Sequence, residues 1–100
     1  MYDMKNVSKL GLFAELAPES FKAFAALDAA AVADGAIPRK YTELIAIGIA
    51  MTTQCPYCIE IHREKARNAG ATDQELAEAV MVAVSLRAGA AMTHGTHVLK

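Results

Sequence analysis

A chain of 100 residues has room for one domain with one modest core. Ten basic and eleven acidic residues are spread along it to a net charge of −1, which excludes the concentrated basic surface that a nucleic-acid partner requires. Its two cysteines are separated by two residues, too few and too close for a secreted disulfide framework.

The residues are 54% hydrophobic, with 21 alanines and no tryptophan. Small apolar side chains let helices approach closely, and apolar surface that a small subunit cannot bury internally belongs at subunit contacts, so a homo-oligomer is expected. Residues 1–6 have neither the basic start nor the apolar stretch of a secretory signal, and the apolar runs are interrupted short of the roughly 18 residues of a membrane span. A cytoplasmic protein without a membrane partner is therefore expected.

No repeat or sustained period-two pattern is present, and the predicted fold is all-α, one domain over residues 1–100. A short helix is predicted from Leu10 to Leu16. Pro18 suits the first turn of the next helix, with Glu19 at its positive end. That helix carries Phe21, Phe24, Ala25, Leu27 and Ala31 on one stripe and is expected to stop near Gly35. After Pro38, a third helix runs from Arg39 to about Thr53, apolar on nearly every side beyond Glu43 and so expected to be central. A fourth begins with Cys55 as N-cap and Pro56 at the first position, ending at Asn68-Ala69-Gly70. Thr72 and Glu75 have capping-box spacing and open a long fifth helix, with Gly89 and Gly95 as places where it bends or ends.

The chemistry concentrates in Cys55-Pro56-Tyr57-Cys58. With Cys55 capping the helix, Cys58 falls in the first turn, where unpaired backbone N–H groups and the positive dipole end favour a thiolate, the reactive form. One helical turn also allows the two sulfurs to meet in a disulfide. His62 lies four residues after Cys58 on the same face, within reach of a proton exchange with that sulfur. The stripe continues through Ala66 and Ala69, so His62 is expected to point inward and to need a partner. Glu43 is the candidate, because it is the only carboxylate in the third helix and its apolar surroundings suit proton transfer. Tyr57 either packs against a neighbouring helix or lends its hydroxyl to a proton path.

Each reading has a plainer competitor. Glu43 lies four residues after Arg39, the spacing of a solvated ion pair. The thiols alone are compatible with inert packing in a purely structural oligomer. Cys55, Cys58 and His62, with Glu43, His94 or His97, supply enough donors for zinc, although a single C-x-x-C lacks the second cluster of a ribbon or finger.

The run Glu43-Leu44-Ile45-Ala46-Ile47, then Cys55-Pro56-Tyr57-Cys58-Ile59 with His62, then Ala69-Gly70-Ala71-Thr72 and Glu75-Leu76, resembles the AhpD-like alkylhydroperoxidases of the carboxymuconolactone decarboxylase superfamily. The likeness spans residues 18–97, and its E-x11-C-x2-C-x3-H pattern is far more specific than C-x-x-C. It implies an all-α domain, assembly as a homotrimer or homohexamer, and reduction of hydroperoxides without a bound cofactor or metal. It further implies that Cys58 attacks the peroxide, that Cys55 resolves it through a Cys55–Cys58 disulfide, and that Glu43 and His62 relay protons. A lipoyl-like or thioredoxin-like dithiol would restore the pair. Tyr57 is a departure, since the best-known members carry histidine there. The decarboxylase branch generally lacks the cysteine pair, which argues against lactone decarboxylation. General disulfide reduction and a zinc-bound helical oligomer are the alternative functions.

Overall fold

The helices begin and end where short-range sequence signals place them. In the computed structural model, which describes residues 2–99, a 3-10 turn over Met4–Lys9 leads into α1 (Leu10–Leu16), α2 (Pro18–Val32), α3 (Arg39–Thr53), α4 (Pro56–Asn68) and α5 (Asp73–His94). A second 3-10 turn, Gly95–Val98, follows. Among the described residues all regular structure is helical, as the all-α reading requires.

Pro18 occupies the start of α2, where its missing N–H leaves no bond unmade. The helix ends at Val32, short of Gly35, because polar side chains compete for the backbone there. Asp34 Oδ1 accepts the Arg39 N–H at 2.6 Å, and the Thr42 hydroxyl donates to the Val32 carbonyl at 2.8 Å. These bonds serve orphan backbone groups at the end of α2 and the start of α3.

Only Gln54 and Cys55 separate α3 from α4. Gln54 adopts the left-handed conformation at φ 56°, and the Cys55 N–H returns to the Ala50 carbonyl at 3.3 Å. So short a link folds α4 back against α3. α4 ends in a Schellman motif: Gly70 takes φ 97°, its N–H bonds the Arg67 carbonyl at 3.0 Å, and the Ala71 N–H bonds the Ala66 carbonyl at 2.9 Å. The predicted capping box then opens α5, with the Glu75 N–H on the Thr72 hydroxyl at 3.1 Å and the Thr72 N–H on Glu75 Oε1 at 3.0 Å. Lys40–Glu75 at 2.9 Å and Arg67–Asp73 at 2.6 Å fasten that end of α5 to α3 and α4.

α3 is central, as expected, packed between α4 and α5. Its buried face is Glu43, Ile47 and Ala50, spaced by four and three residues, and the opposing buried residues are Ala66, Ala71 and Ala83. This core is made of small residues. The rest of the apolar surface stays open: no residue of α1 or α2 is buried, and the predicted α2 stripe is solvent-facing, with Leu27 66% exposed. The radius of gyration is 16.5 Å, against about 13 Å for a self-contained domain of this length.

Gly89 does not interrupt α5, and Gly95 caps its end. The helical run Asp73–Val98 is long and apolar enough, by length and composition, to cross a membrane, although Arg87 breaks its apolar character in sequence. Here Arg87 donates to the Thr52 carbonyl at 2.8 Å, serving the end of α3.

Candidate dithiol site at the start of α4

Cys55 has extended backbone geometry and its sulfur accepts the Cys58 N–H at 3.2 Å, so the thiol itself is the N-cap. Both cysteines are free thiols and partly buried. Their protons are shared unequally. Cys55 is held below its ordinary value, chiefly by the hydrogen bond from the Cys58 thiol and then by the Cys58 backbone N–H. Cys58 is pushed up to about 11, first by burial, then by the bond it donates to Cys55 and the charge there. The first-turn position led to an expected thiolate at Cys58, whereas the fold makes Cys55 the more acidic of the two. Burial of the Cys58 thiol is the main reason, followed by the hydrogen bond it shares with Cys55.

His62 Nδ1 lies 2.6 Å from Glu43 Oε2, which brings together the two residues paired in the sequence reading. Glu43 has 0% exposure. The solvated Arg39–Glu43 surface pair therefore does not describe it. Arg39 Nε approaches Oε1 at 3.8 Å from a half-exposed position, and among the described residues no hydrogen bond serves that oxygen. A fully buried carboxyl with one unserved oxygen is expensive as mere scaffolding, which is a physical ground for a working role. His62 itself is partly buried and, among the described residues, makes no hydrogen bond to either sulfur. The short Nδ1 bond leaves Nε2 as its exchanging atom.

Tyr57 does not simply pack against a neighbouring helix. Its hydroxyl accepts the Asp3 N–H at 3.3 Å and the Asn6 side-chain amide at 3.1 Å, and its ring meets Tyr2 edge-on with centroids 4.9 Å apart. Tyr2, Asp3 and Asn6 were not among the expected site residues. They reach α4 across more than fifty residues of sequence, and no local spacing announces such a contact.

Among the described residues no group of three or more His, Cys, Asp or Glu side chains is arranged to hold a metal ion. His94 and His97 meet edge-on, with ring centroids 5.2 Å apart. The zinc reading thus has no ligand set among these residues.

The model of the carboxymuconolactone decarboxylase family matches residues 18–100. A relative in Paracoccus denitrificans, an uncharacterised protein of the cox locus, is 47% identical over 77 residues, covering 77% of this chain and 69% of the relative. An uncharacterised protein of Cupriavidus necator is 30% identical over 81 residues, covering 81% of this chain and 72% of the relative. Among solved structures, an apo carboxymuconolactone decarboxylase family protein from Legionella pneumophila superposes with a TM-score of 0.75 at 38% identity, covering 80% of this chain and 71% of that one. A protein from Methanobacterium thermoautotrophicum superposes with a TM-score of 0.81 at 33% identity, covering 88% of this chain and 99% of that one. Of the E-x11-C-x2-C-x3-H residues, Glu43 bonds His62 and Cys55 caps the helix at Cys58, and the chain, which resembles the AhpD-like branch, belongs to the carboxymuconolactone decarboxylase family.

Proposed function

We propose that this protein is a dithiol peroxidase of the AhpD-like kind, reducing hydroperoxides with Cys55 and Cys58. The observation that carries the reading is the pair of free thiols at the start of α4, with Cys55 as its N-cap, on a helix whose His62 is bonded at 2.6 Å to the fully buried Glu43. The two thiols hold their protons unequally, Cys55 below its ordinary value and Cys58 pushed up to about 11. Cys58 passes its proton to the His62–Glu43 relay and becomes the attacking thiolate. The Cys58 thiolate attacks the O–O bond, forming a sulfenic acid. The departing alkoxide takes the proton from His62–Glu43 and leaves as an alcohol. The Cys55 thiol then displaces the sulfenic hydroxyl, which leaves as water with the Cys55 proton, and the disulfide closes. Two thiols and one hydroperoxide become one disulfide, one alcohol and one water. A lipoyl-like or thioredoxin-like dithiol returns the two electrons and two protons.

A second reading, general disulfide reduction, is favoured by the N-cap position of Cys55, whose thiol is held below its ordinary value, because the more acidic thiol is the better placed to attack an external disulfide. The same protein would work in a reducing compartment, the cytoplasm, as a homotrimer or homohexamer assembled through its open apolar faces.

Peroxide consumption with a dithiol donor tests the reading. Cys58→Ser abolishes turnover, whereas Cys55→Ser permits one oxidation event and traps a sulfenic acid that dimedone labels at Cys58. Retained turnover in Cys58→Ser, with labelling at Cys55, reverses the assignment. Turnover on a disulfide substrate but not on peroxide selects the second reading.

A further inference from the structure

The side chain between the two cysteines has a role outside the cycle above. Tyr57 occupies the second position of α4, and the N-terminal segment is tied to it and to its helix at four points. The Asp3 N–H and the Asn6 amide donate to its hydroxyl at 3.3 and 3.1 Å. The Tyr2 ring meets its ring edge-on, and the Tyr2 hydroxyl donates to Glu60 Oε1 at 3.0 Å, one turn further along α4. The segment is also stiff: Asp3 Oδ1 accepts the Lys5 N–H at 2.9 Å, capping the 3-10 turn Met4–Lys9, and Met4, Asn6 and Val7 are partly buried. Residues 2–9 therefore act as one strap laid on the first turns of α4.

Those first turns are where oxidation must change the geometry. In the dithiol form, Cys55 Sγ accepts the Cys58 N–H at 3.2 Å. Closing the disulfide removes both thiol hydrogens, joins the sulfurs at about 2.05 Å and re-aims the sulfur that accepted the Cys58 N–H, so the bonds it made weaken or are lost. Tyr57 lies in the chain between the two sulfurs and cannot stay indifferent to this adjustment. The strap as seen fits the dithiol form.

From this we infer that Tyr57 and Asn6 are positioning residues for the redox pair: by pinning residues 2–9 to the start of α4 they favour the dithiol over the disulfide, and closing the disulfide in turn releases the strap. The coupling is reciprocal, because any factor by which docking shifts the dithiol–disulfide equilibrium must equal the factor by which oxidation shifts docking. The inference rests on the proposed cycling of Cys55 and Cys58 between dithiol and disulfide, and it assigns the strap as the element that sets the balance.

Lys5 and Lys9 both lie in the strap, so tryptic cleavage after them, followed by mass spectrometry, reads its release. The full-length protein is equilibrated with mixtures of reduced and oxidised dithiothreitol, which exchanges two electrons and two protons with the pair, and free thiols are counted after quenching. Cleavage after Lys5 and Lys9 is expected to be about 5-fold or more faster in the disulfide form. Tyr57→Phe and Asn6→Ala are each expected to shift the equilibrium toward the disulfide by a similar factor and to erase the difference in cleavage. Asn6→Ala leaves α4 untouched, so it keeps the test decisive if Tyr57→Phe disturbs the helix. A pair that closes normally while cleavage is equal in both forms, or faster in the dithiol, overturns the inference, as does an equilibrium unmoved in both variants. A pair that retains two titratable thiols under oxidised dithiothreitol overturns both this inference and the proposed redox function, and the thiol count tells that outcome from the others.

Discussion

The three helices α3–α5 and the hairpin α1–α2 are built from similar residues and meet opposite fates. In the first region Ile47, Ala50, Ala66, Ala71 and Ala83 bury themselves around a carboxylate, and the site lies against that core. In the second, Phe13, Phe24 and Leu27 form apolar surface that no other described residue covers. Both regions are helical, so the difference is one of partners. Small residues on α3, α4 and α5 find each other over short links, whereas α2 is joined to α3 by a longer loop, residues 33–38, and barely meets it. The distal half of α5 shares the fate of the hairpin, with Leu86 and Met92 exposed. One region is closed by its own helices; the other is left open among the described residues.

The largest expected effect strikes the finished region. Glu43→Gln retains the shape and one hydrogen bond to His62 but removes the relayed proton, and steady-state turnover should fall by ~10²-fold or more with little change in melting. Full turnover in this variant would return Glu43 to a structural role.

Alkylation against pH separates the two sulfurs of the same region. Near neutrality Cys55 should react first and far faster, while Cys58 in the intact pair becomes reactive only as pH approaches about 11. In Cys55→Ser the Cys58 value should come down, since the neighbouring thiolate is gone and only burial still raises it. The stability consequence has a definite sign. Cys58 ionises later in the folded chain than in the unfolded one, so stability should decline as pH rises from the unfolded value of 9.0 toward about 11. Equal reactivity of both thiols at neutral pH would remove the unequal proton sharing.

Packing variants sharpen the contrast between regions. Ala66→Leu forces extra methyl groups into a fully buried site and should destabilise by about 1–3 kcal/mol at any protein concentration. Leu27→Ala should have little effect on a dilute, separated subunit, because Leu27 is exposed within it, yet should weaken assembly seen by light scattering. A folded wild-type monomer at micromolar concentration would show that the open faces need no partner. Binding to lipid vesicles without assembly would instead assign Asp73–Val98 to a membrane.

The smallest effect is local. Gly70→Ala places a Cβ at φ 97° with open space around it, so only the backbone resists, and a loss of about 1 kcal/mol in thermal or denaturant unfolding is expected. No measurable loss would mean that the Schellman turn adds little to ending α4.

Helix existence and position were largely legible in the residues: Leu10–Leu16, Arg39–Thr53, Cys55 as N-cap with Pro56 following, and the Thr72–Glu75 box all lie where local reading puts them. Each is decided by bonds among residues three or four apart, which a sequence displays directly. The pairing of Glu43 with His62 was also legible, because a lone carboxylate on an apolar helix and an inward histidine each require a partner. Three features were settled by tertiary structure. Cys55 rather than Cys58 is the more acidic thiol because the burial that raises Cys58 depends on how α4 is packed. The strap of residues 2–9 meets Tyr57 across more than fifty residues, a distance at which spacing carries no information. The stripe on α2 is apolar in sequence whether it is buried or bare, and only the arrangement of helices determines that this chain leaves it uncovered.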